Sequence, residues 1–178
     1  MQPRWHVLRA TYARELKVQT ALQEKGIRTF IPMIWSTPSS PTRSGIPRKL
    51  VPAVSGLVFA LATRETLDLY IRSFGDARPV NYYWDRTTNA PLTVPAKAME
   101  DFITIASTLD EDLIYLTEVS EKLREGQEVT ILDGPFKGVQ GRIVRIKKNR
   151  RVMVELPGMM AVASTYVKPN YLEITKPE

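Results

Sequence analysis

Two spacings of apolar residues alternate along the first hundred positions of the chain. Alternating or short apolar runs predict strands at residues 5–10, 27–31, 49–51, 57–61 and 80–84. Helical spacing predicts helices at residues 11–25, 65–74 and 95–107, and the third carries Met99, Phe102, Ile103 and Ala106 on one stripe. The Ser-, Thr- and Pro-rich residues 36–47 predict a loop or a hairpin extension. This part of the chain therefore predicts a sheet with helices packed on it.

A second pattern begins near residue 123 and consists of strands alone. Residues 129–131, 143–146 and 151–156 alternate or run apolar, while Asp133-Gly134-Pro135 and residues 147–150 supply turns. Several short strands joined by tight turns predict a small antiparallel barrel. The pattern resembles a KOW motif, carried by Gly126, Gly134, Phe136, Gly138 and Gly141. The alternative is another SH3-like barrel, because any such barrel uses glycine for positive φ and close backbone approach.

The composition changes abruptly between these two regions. Residues 108–121 contain five acidic residues and no basic one. We therefore predict domains at 1–107 and 121–178, joined by a linker at 108–120. The apolar run 113–116 is the exception, because such residues pack on a domain more readily than they remain in water.

Charge is the next feature that changes the picture. The chain has 25 Lys and Arg against 19 Asp and Glu, for a net charge of +6, and residues 121–151 hold nine basic and four acidic residues. An anionic partner is expected for the barrel. The basic residues Lys147, Lys148, Arg150 and Arg151 predict a hairpin tip that contacts phosphates; the alternative is a solvated turn that protects a sheet edge.

The sequence offers little for catalysis. It has no cysteine, which excludes zinc fingers, thiol nucleophiles and disulfides, and its single histidine, His6, has no second histidine to complete a metal site or a triad. We predict no catalytic residue, no metal site, no cofactor and no enzymatic activity. The acidic run Asp110-Glu111-Asp112 leaves open a divalent-metal enzyme acting on nucleic acid, although a solvated linker is the simpler interpretation. No signal peptide or bilayer-spanning run is visible, so a cytoplasmic protein is expected.

Four segments and the order of elements resemble the NusG family of transcription elongation factors over nearly the whole chain. The segments are residues 4–10, an aromatic opening strand; 30–32, after the first helix; 54–59, where the family has Phe-Pro-Gly-Tyr but this chain has Val54-Ser55-Gly56-Leu57; and 89–95, before the last helix. The resemblance implies an α+β fold, with an antiparallel sheet and flanking helices followed by an SH3-like barrel. Residues 12–17 and 29–33 resemble the UpxY-type antiterminators of capsular polysaccharide operons.

The resemblance also implies partners. The family's first domain binds the clamp helices of RNA polymerase, and the corresponding residues here are Trp5, Leu57, Phe59, Tyr82 and Tyr83, for which ordinary sheet packing is the alternative. Arg78 matches a position where specialised members contact nontemplate DNA, and a solvated loop charge is the alternative. The barrel is expected to recruit a second factor such as the ribosomal protein NusE, or to contact nascent RNA.

One departure from the family pattern concerns termination factor Rho. Housekeeping members carry Phe-Gly-Arg-x-Thr-Pro late in the barrel, whereas residues 156–162 here read Leu-Pro-Gly-Met-Met-Ala-Val. The difference argues against a Rho contact and favours an operon-specific antiterminator. No membrane partner is expected. The alternative function is a KOW-containing RNA-binding or ribosome-associated protein.

Overall fold

The computed structural model describes residues 2–37 and 47–175. The chain divides into two compact units, Met1–Val94 and Pro95–Glu178. The first unit mixes strands and helices, and the second is built mainly from antiparallel strands. The predicted α+β class is confirmed.

The first unit is built on a five-stranded sheet. Its strands and helices are β1 (Arg4–Ala10), α1 (Glu15–Glu24), β2 (Arg28–Phe30), β3 (Met33–Trp35), β4 (Leu50–Pro52), β5 (Leu57–Ala62), α2 (Arg64–Arg72), β6 (Val80–Tyr82), β7 (Trp84–Asp85), β8 (Ala90–Pro91) and β9 (Thr93–Val94). The sheet order is β2-β5-β1-β6, with β9 also paired to β1. Two small hairpins, β3-β4 and β7-β8, complete the unit.

Helices α1 and α2 cover one face of this sheet. Leu8, Val58 and Ala60 from the strands form one buried cluster with Leu22 of α1 and Leu67 of α2. Helix α1 begins later than the predicted residue 11, because Tyr12 and Ala13 have positive φ values of 56° and 52°, which an α-helix does not accommodate. The apolar residues that recur every second position in the strands and about every 3.6 positions in the helices therefore pack into one core.

Strands β3 and β4 flank the predicted loop and pair with each other as an antiparallel hairpin. Met33 pairs with Pro52 and Trp35 with Leu50. Strand β3 is missing from the sequence prediction, because a proline at position 32 indicates the end of a strand and conceals the short strand that follows it. Residues 38–46, which fall within the predicted loop, lie outside the described residues.

The second unit contains the predicted barrel. Its elements are α3 (Ala96–Ala106), β10 (Ile114–Leu116), α4 (Glu121–Arg124), β11 (Glu128–Ile131), β12 (Gln140–Ile146), β13 (Asn149–Leu156), β14 (Met160–Ala163) and β15 (Leu172–Ile174). The six strands pair antiparallel in the order β10-β14-β13-β12-β11-β15. Helix α3 is anchored within this unit by Asp101, whose carboxylate accepts a bond from the Gln140 backbone N–H at 3.2 Å.

The segment predicted as a linker forms part of the barrel sheet. Ile114, Tyr115 and Leu116 make up β10 and pair with Ala163, Val162 and Ala161 of β14. The apolar run, which the sequence analysis set apart from the rest of the linker, packs as its composition favoured. The compact units also divide at Val94, which groups α3 with the barrel. The predicted domains 1–107 and 121–178 stay a prediction.

Candidate functional site

Four of the five residues predicted to contact the polymerase share one face of the first sheet. In the pairing of β1 with β5, Val7 lies opposite Phe59 and Arg9 lies opposite Leu57. Side chains two residues apart on a strand point to the same face, so Trp5 lies on that face too. Trp5, Leu57 and Phe59 are only 0–1% exposed. Side chains so buried have no surface to offer a partner in this conformation. Tyr83 is half-buried, and its backbone N–H donates to the carbonyl oxygen of Val7 at 2.9 Å.

Tyr82 lies on the opposite face of the sheet, with α2. Its hydroxyl donates to Oδ1 of Asp68 at 2.8 Å, and its ring contacts that of His6 at a centroid distance of 5.8 Å. Burial, and then the bond to Asp68, raises the pKa of Tyr82, so the phenol remains a neutral donor. Tyr82 therefore packs against the helix, and it cannot share a surface with Trp5, Leu57 and Phe59.

His6 belongs to the same packed layer. It is buried, and burial followed by the positive charge of Arg64 lowers its pKa. Its Nδ1 has no hydrogen-bond partner among the described residues. The sequence interpretation of His6 as a packed residue agrees with this position.

Arg78 follows a short 3-10 turn, Gly75–Ala77, and is exposed at the β6 edge. The side-chain amide of Asn81 donates to its carbonyl oxygen at 3.3 Å. Arg78 lines a cavity of about 350 Å³ between α2 and the β6-β7 edge. We call this cavity the arginine cleft, and its lining residues are Arg64, Asp68, Ile71, Arg72, Arg78, Asn81, Tyr82 and Trp84. Sequence reasoning singled out Arg78 and Tyr82 and missed the other six.

The predicted basic hairpin tip is present in part. Lys147 and Lys148 form the two-residue turn between β12 and β13, with φ values of 52° and 66°, and both are exposed. Positive φ at both central positions is the pattern of the tight turns that join antiparallel strands. Arg150 is half-buried on β13. Of the four predicted cations, the two lysines are therefore the exposed ones.

Arg151 requires a correction, because it is 1% exposed and cannot contact phosphate. Its Nη1 donates to the carbonyl oxygens of Asp112 at 2.5 Å and Ser164 at 2.9 Å, and its Nη2 lies 3.4 Å from the Asp112 carboxylate. The reason is strand alternation, since neighbours 150 and 151 must point to opposite faces. The period-2 pattern could have revealed this in the sequence.

The five KOW residues shape the barrel. Phe136 is buried; Gly134 and Gly138 have positive φ in the β11-β12 connection; Gly141 pairs with Val129; and Gly126 precedes β11. A Cβ on Gly126 would lie 2.1 Å from the carbonyl oxygen of Ile143, and one on Gly141 would lie 2.5 Å from that of Met153. The motif is therefore structural: close approach of backbones requires glycine at 126 and 141, and positive φ favours it at 134 and 138.

The acidic run is engaged in local contacts. Asp110 accepts the backbone N–H of Asp112 at 2.8 Å, and Asp112 in turn contacts Arg151. Over residues 2–37 and 47–175, no group of three or more His, Cys, Asp or Glu side chains is arranged to hold a metal ion. In the same part of the chain, no helix is both long enough and apolar enough to cross a membrane.

Comparison with known proteins shows that an α/β unit followed by a KOW barrel is typical of a class of transcription factors. A family model described as the KOW motif matches residues 125–155, and one described as "Transcription termination factor nusG" matches residues 3–103. The second match spans more than half of the chain, and the chain therefore belongs to the NusG family. The predicted family and the KOW motif are confirmed.

The chain is also similar to a solved structure of NusG from Thermotoga maritima, described as "Domain interaction in Thermotoga maritima NusG". The TM-score is 0.47, the sequence identity is 17%, and the alignment covers 99% of this chain and 99% of that chain. No curated protein matches this chain by sequence.

Proposed function

We propose that this NusG-family transcription factor is an operon-specific antiterminator of the UpxY type that binds the clamp helices of RNA polymerase. The observation that carries the proposal is the presence of a NusG domain and a KOW barrel in one chain. Binding alone would hold the polymerase in its elongating state, so the factor needs no catalytic group. This role places the protein in the cytoplasm, and we propose domains at 1–107 and 121–178.

The proposed polymerase surface is the sheet face that carries Tyr83. Trp5, Leu57 and Phe59 belong to this face, but their burial means that they could take part only after a rearrangement that exposes them. Tyr83 is the accessible aromatic of the four. Aromatic side chains dominate the energetics of many interfaces, which makes Tyr83 the residue to test.

Replacing Tyr83 with alanine should weaken retention of RNA polymerase by about tenfold, the loss typical of a truncated interface aromatic. The measurement is a titrated pull-down of the cognate polymerase with the full chain. Tyr12→Ala is the matched control, because Tyr12 is an exposed tyrosine of the same unit and should leave retention unchanged.

Failure of the wild-type chain to retain polymerase, even in low salt and with elongation complexes, would overturn the polymerase proposal. Equal retention by both tyrosine variants and wild type would move the surface elsewhere. The operon-specific part is tested in transcription with the retained polymerase, where readthrough should rise on one operon and stay unchanged on unrelated templates.

Two further contacts are proposed for this factor. The barrel would recruit a partner such as NusE, and Arg78 would contact nontemplate DNA. A Rho contact is not proposed, because the segment that replaces the family's Rho motif is largely packed inside: Leu156, Met160, Ala161 and Val162 are all buried. Only Pro157 and Gly158 of that segment are exposed.

One observation favours the second candidate function, RNA binding by the barrel. Lys147 and Lys148 project into solvent at a hairpin tip, where each could reach a phosphate. If both do, the double variant Lys147→Gln, Lys148→Gln should flatten the plot of log affinity against log salt by about 1.4 for single-stranded RNA. Titrations of one RNA at four salt concentrations measure this slope. An unchanged slope would remove the hairpin tip from RNA binding.

A further inference from the structure

A second cavity of the first unit, of about 480 Å³, lies where β1 and β9 meet the start of α2 and the β7-β8 hairpin. Arg4 and His6 are two residues apart on β1 and therefore point to the same face, and Thr93 of β9 pairs with His6. We call this space the histidine cavity. The polar residues that line it include Arg4, His6, Arg64, Asp85, Thr88 and Thr93.

One lining atom of the cavity, Nδ1 of His6, lacks the hydrogen bond that its burial requires. His6 is 5% exposed, and its Nδ1 has no partner among the described residues. Buried polar atoms are nearly always hydrogen-bonded, because folding takes them away from water. Burial, and then the charges of Arg64 and Arg4, lower the pKa of His6, so the ring is neutral. A hydroxyl group suits a neutral imidazole in either tautomer, since it can both donate and accept.

Two guanidinium groups line the same cavity. Arg4 is exposed, and no carboxylate of the described residues lies within salt-bridge distance of it. Arg64 has a long contact with Asp68, in which Nε lies 3.7 Å from Oδ2. Guanidinium groups stay charged at physiological pH and present pairs of N–H donors that match phosphate oxygens. One end of a fitting ligand is therefore a phosphate.

A carboxylate on the β7-β8 hairpin disfavours a ligand that is anionic throughout. The Asp85 carboxylate accepts the backbone N–H of Thr87 at 2.8 Å, and this bond holds the pKa of Asp85 below its ordinary value. An ionised carboxylate only accepts hydrogen bonds, so it repels a phosphate but binds hydroxyl groups. Thr88 and Thr93 add hydroxyls of their own. The lining therefore matches a molecule with a phosphate at one end and several hydroxyls at the other.

We propose that the histidine cavity binds a small phosphorylated sugar, with the phosphate on Arg4 and Arg64 and a sugar hydroxyl on Nδ1 of His6. Its volume lies within the range of about 300–1,000 Å³ that is usual for small-molecule sites. Among the described lining residues the only aromatic ring is the buried one of His6, so a nucleobase has no exposed ring to stack on. A DNA backbone has no hydroxyls to offer Nδ1. The inference goes beyond the proposed function and does not rest on it.

The test is isothermal titration calorimetry of the full chain with glucose 1-phosphate and glucose 6-phosphate, which carry the phosphate at opposite ends of one sugar. Methyl phosphate and glucose each keep one half of this chemistry, and each should bind at least about tenfold more weakly than the better hexose phosphate. His6→Phe keeps a ring but removes Nδ1. It should weaken hexose phosphate binding by about tenfold and leave methyl phosphate binding unchanged.

Arg4→Gln tests the phosphate end of the site. It should weaken binding of the hexose phosphate and of methyl phosphate by a similar factor, about tenfold, because both lose a charged donor. Arg4 is exposed, so this variant stays informative even where His6→Phe does not fold. Arg9→Gln is the matched control, since Arg9 is an exposed arginine of the same strand on the opposite face, and it should change neither affinity.

Three results would overturn the proposal. The first is no binding of either hexose phosphate at millimolar concentration, or equal binding by wild type and Arg4→Gln. The second is binding of AMP at least about tenfold tighter than that of either hexose phosphate, which would assign the cavity to a nucleotide. The third is displacement of the hexose phosphate by a short dT strand at equal phosphate concentration, which would assign it to a nucleic-acid backbone.

Discussion

Replacing Arg151 with methionine should destabilise the second unit by about 3 kcal/mol. Methionine fills a similar volume but leaves the carbonyl oxygens of Asp112 and Ser164 without their charged donor, and bonds to charged groups contribute about 1.5–3 kcal/mol each. The ion pair adds little, because the Asp112 side chain is 63% exposed and its charge is screened by water. Urea unfolding of the full chain, followed by amide exchange in β13 and β14, measures the loss.

The effect should be largest at the strand that Arg151 attaches. Asp112 lies two residues before β10, so losing its anchor should accelerate exchange of the Ile114 to Leu116 amides by roughly a hundredfold. Arg150→Met is the matched control, because Arg150 is a half-buried neighbour on the opposite face and should cost at most about 0.5 kcal/mol. Similar losses in both variants would contradict the anchoring role.

Arg151 also shows where sequence reasoning reaches its limit. A run of four cations in five residues predicts one exposed tip, and the averaged charge conceals the alternation that sends Arg151 inward. Its partner, Asp112, is 39 residues away, and no local pattern links the two. The apolar run 113–116 shows the same limit, because its composition favours packing on a domain but does not show that residues 114–116 pair with β14.

Local periodicity predicts the helices and most strands because it reflects which face each element buries. Helix α3 is an example, since its apolar stripe and Pro95 place it almost to the residue. Periodicity does not predict how exposed the side chains are on the sheet face that the helices leave uncovered. Trp5, Leu57 and Phe59 do share a face, yet only the folded chain shows them fully buried. The arginine cleft likewise depends on α2 and β7 meeting, which no single segment encodes.

Replacing Gly126 with alanine should destabilise the barrel by about 3 kcal/mol, at the upper end of what overpacking costs. The new Cβ would lie 2.1 Å from the carbonyl oxygen of Ile143 and 3.2 Å from its carbonyl carbon. Backbone atoms cannot rotate away as the end of a side chain can, so β12 would have to move. That movement would strain the bond from the Ile143 N–H to the Gln127 carbonyl, now 2.9 Å.

Gly138→Ala is the comparison that isolates this steric cause. Gly138 belongs to the same motif, but a Cβ there meets nothing within 4 Å. Gly138→Ala should therefore lower the free energy of unfolding only by the cost of placing alanine at a φ of 88°, which is about 1 kcal/mol. Urea unfolding of both variants, with exchange of the β12 amides as the local readout, should rank Gly126→Ala well below Gly138→Ala in stability. The reverse order would mean that backbone conformation, rather than close approach of two strands, is why this barrel requires its glycines.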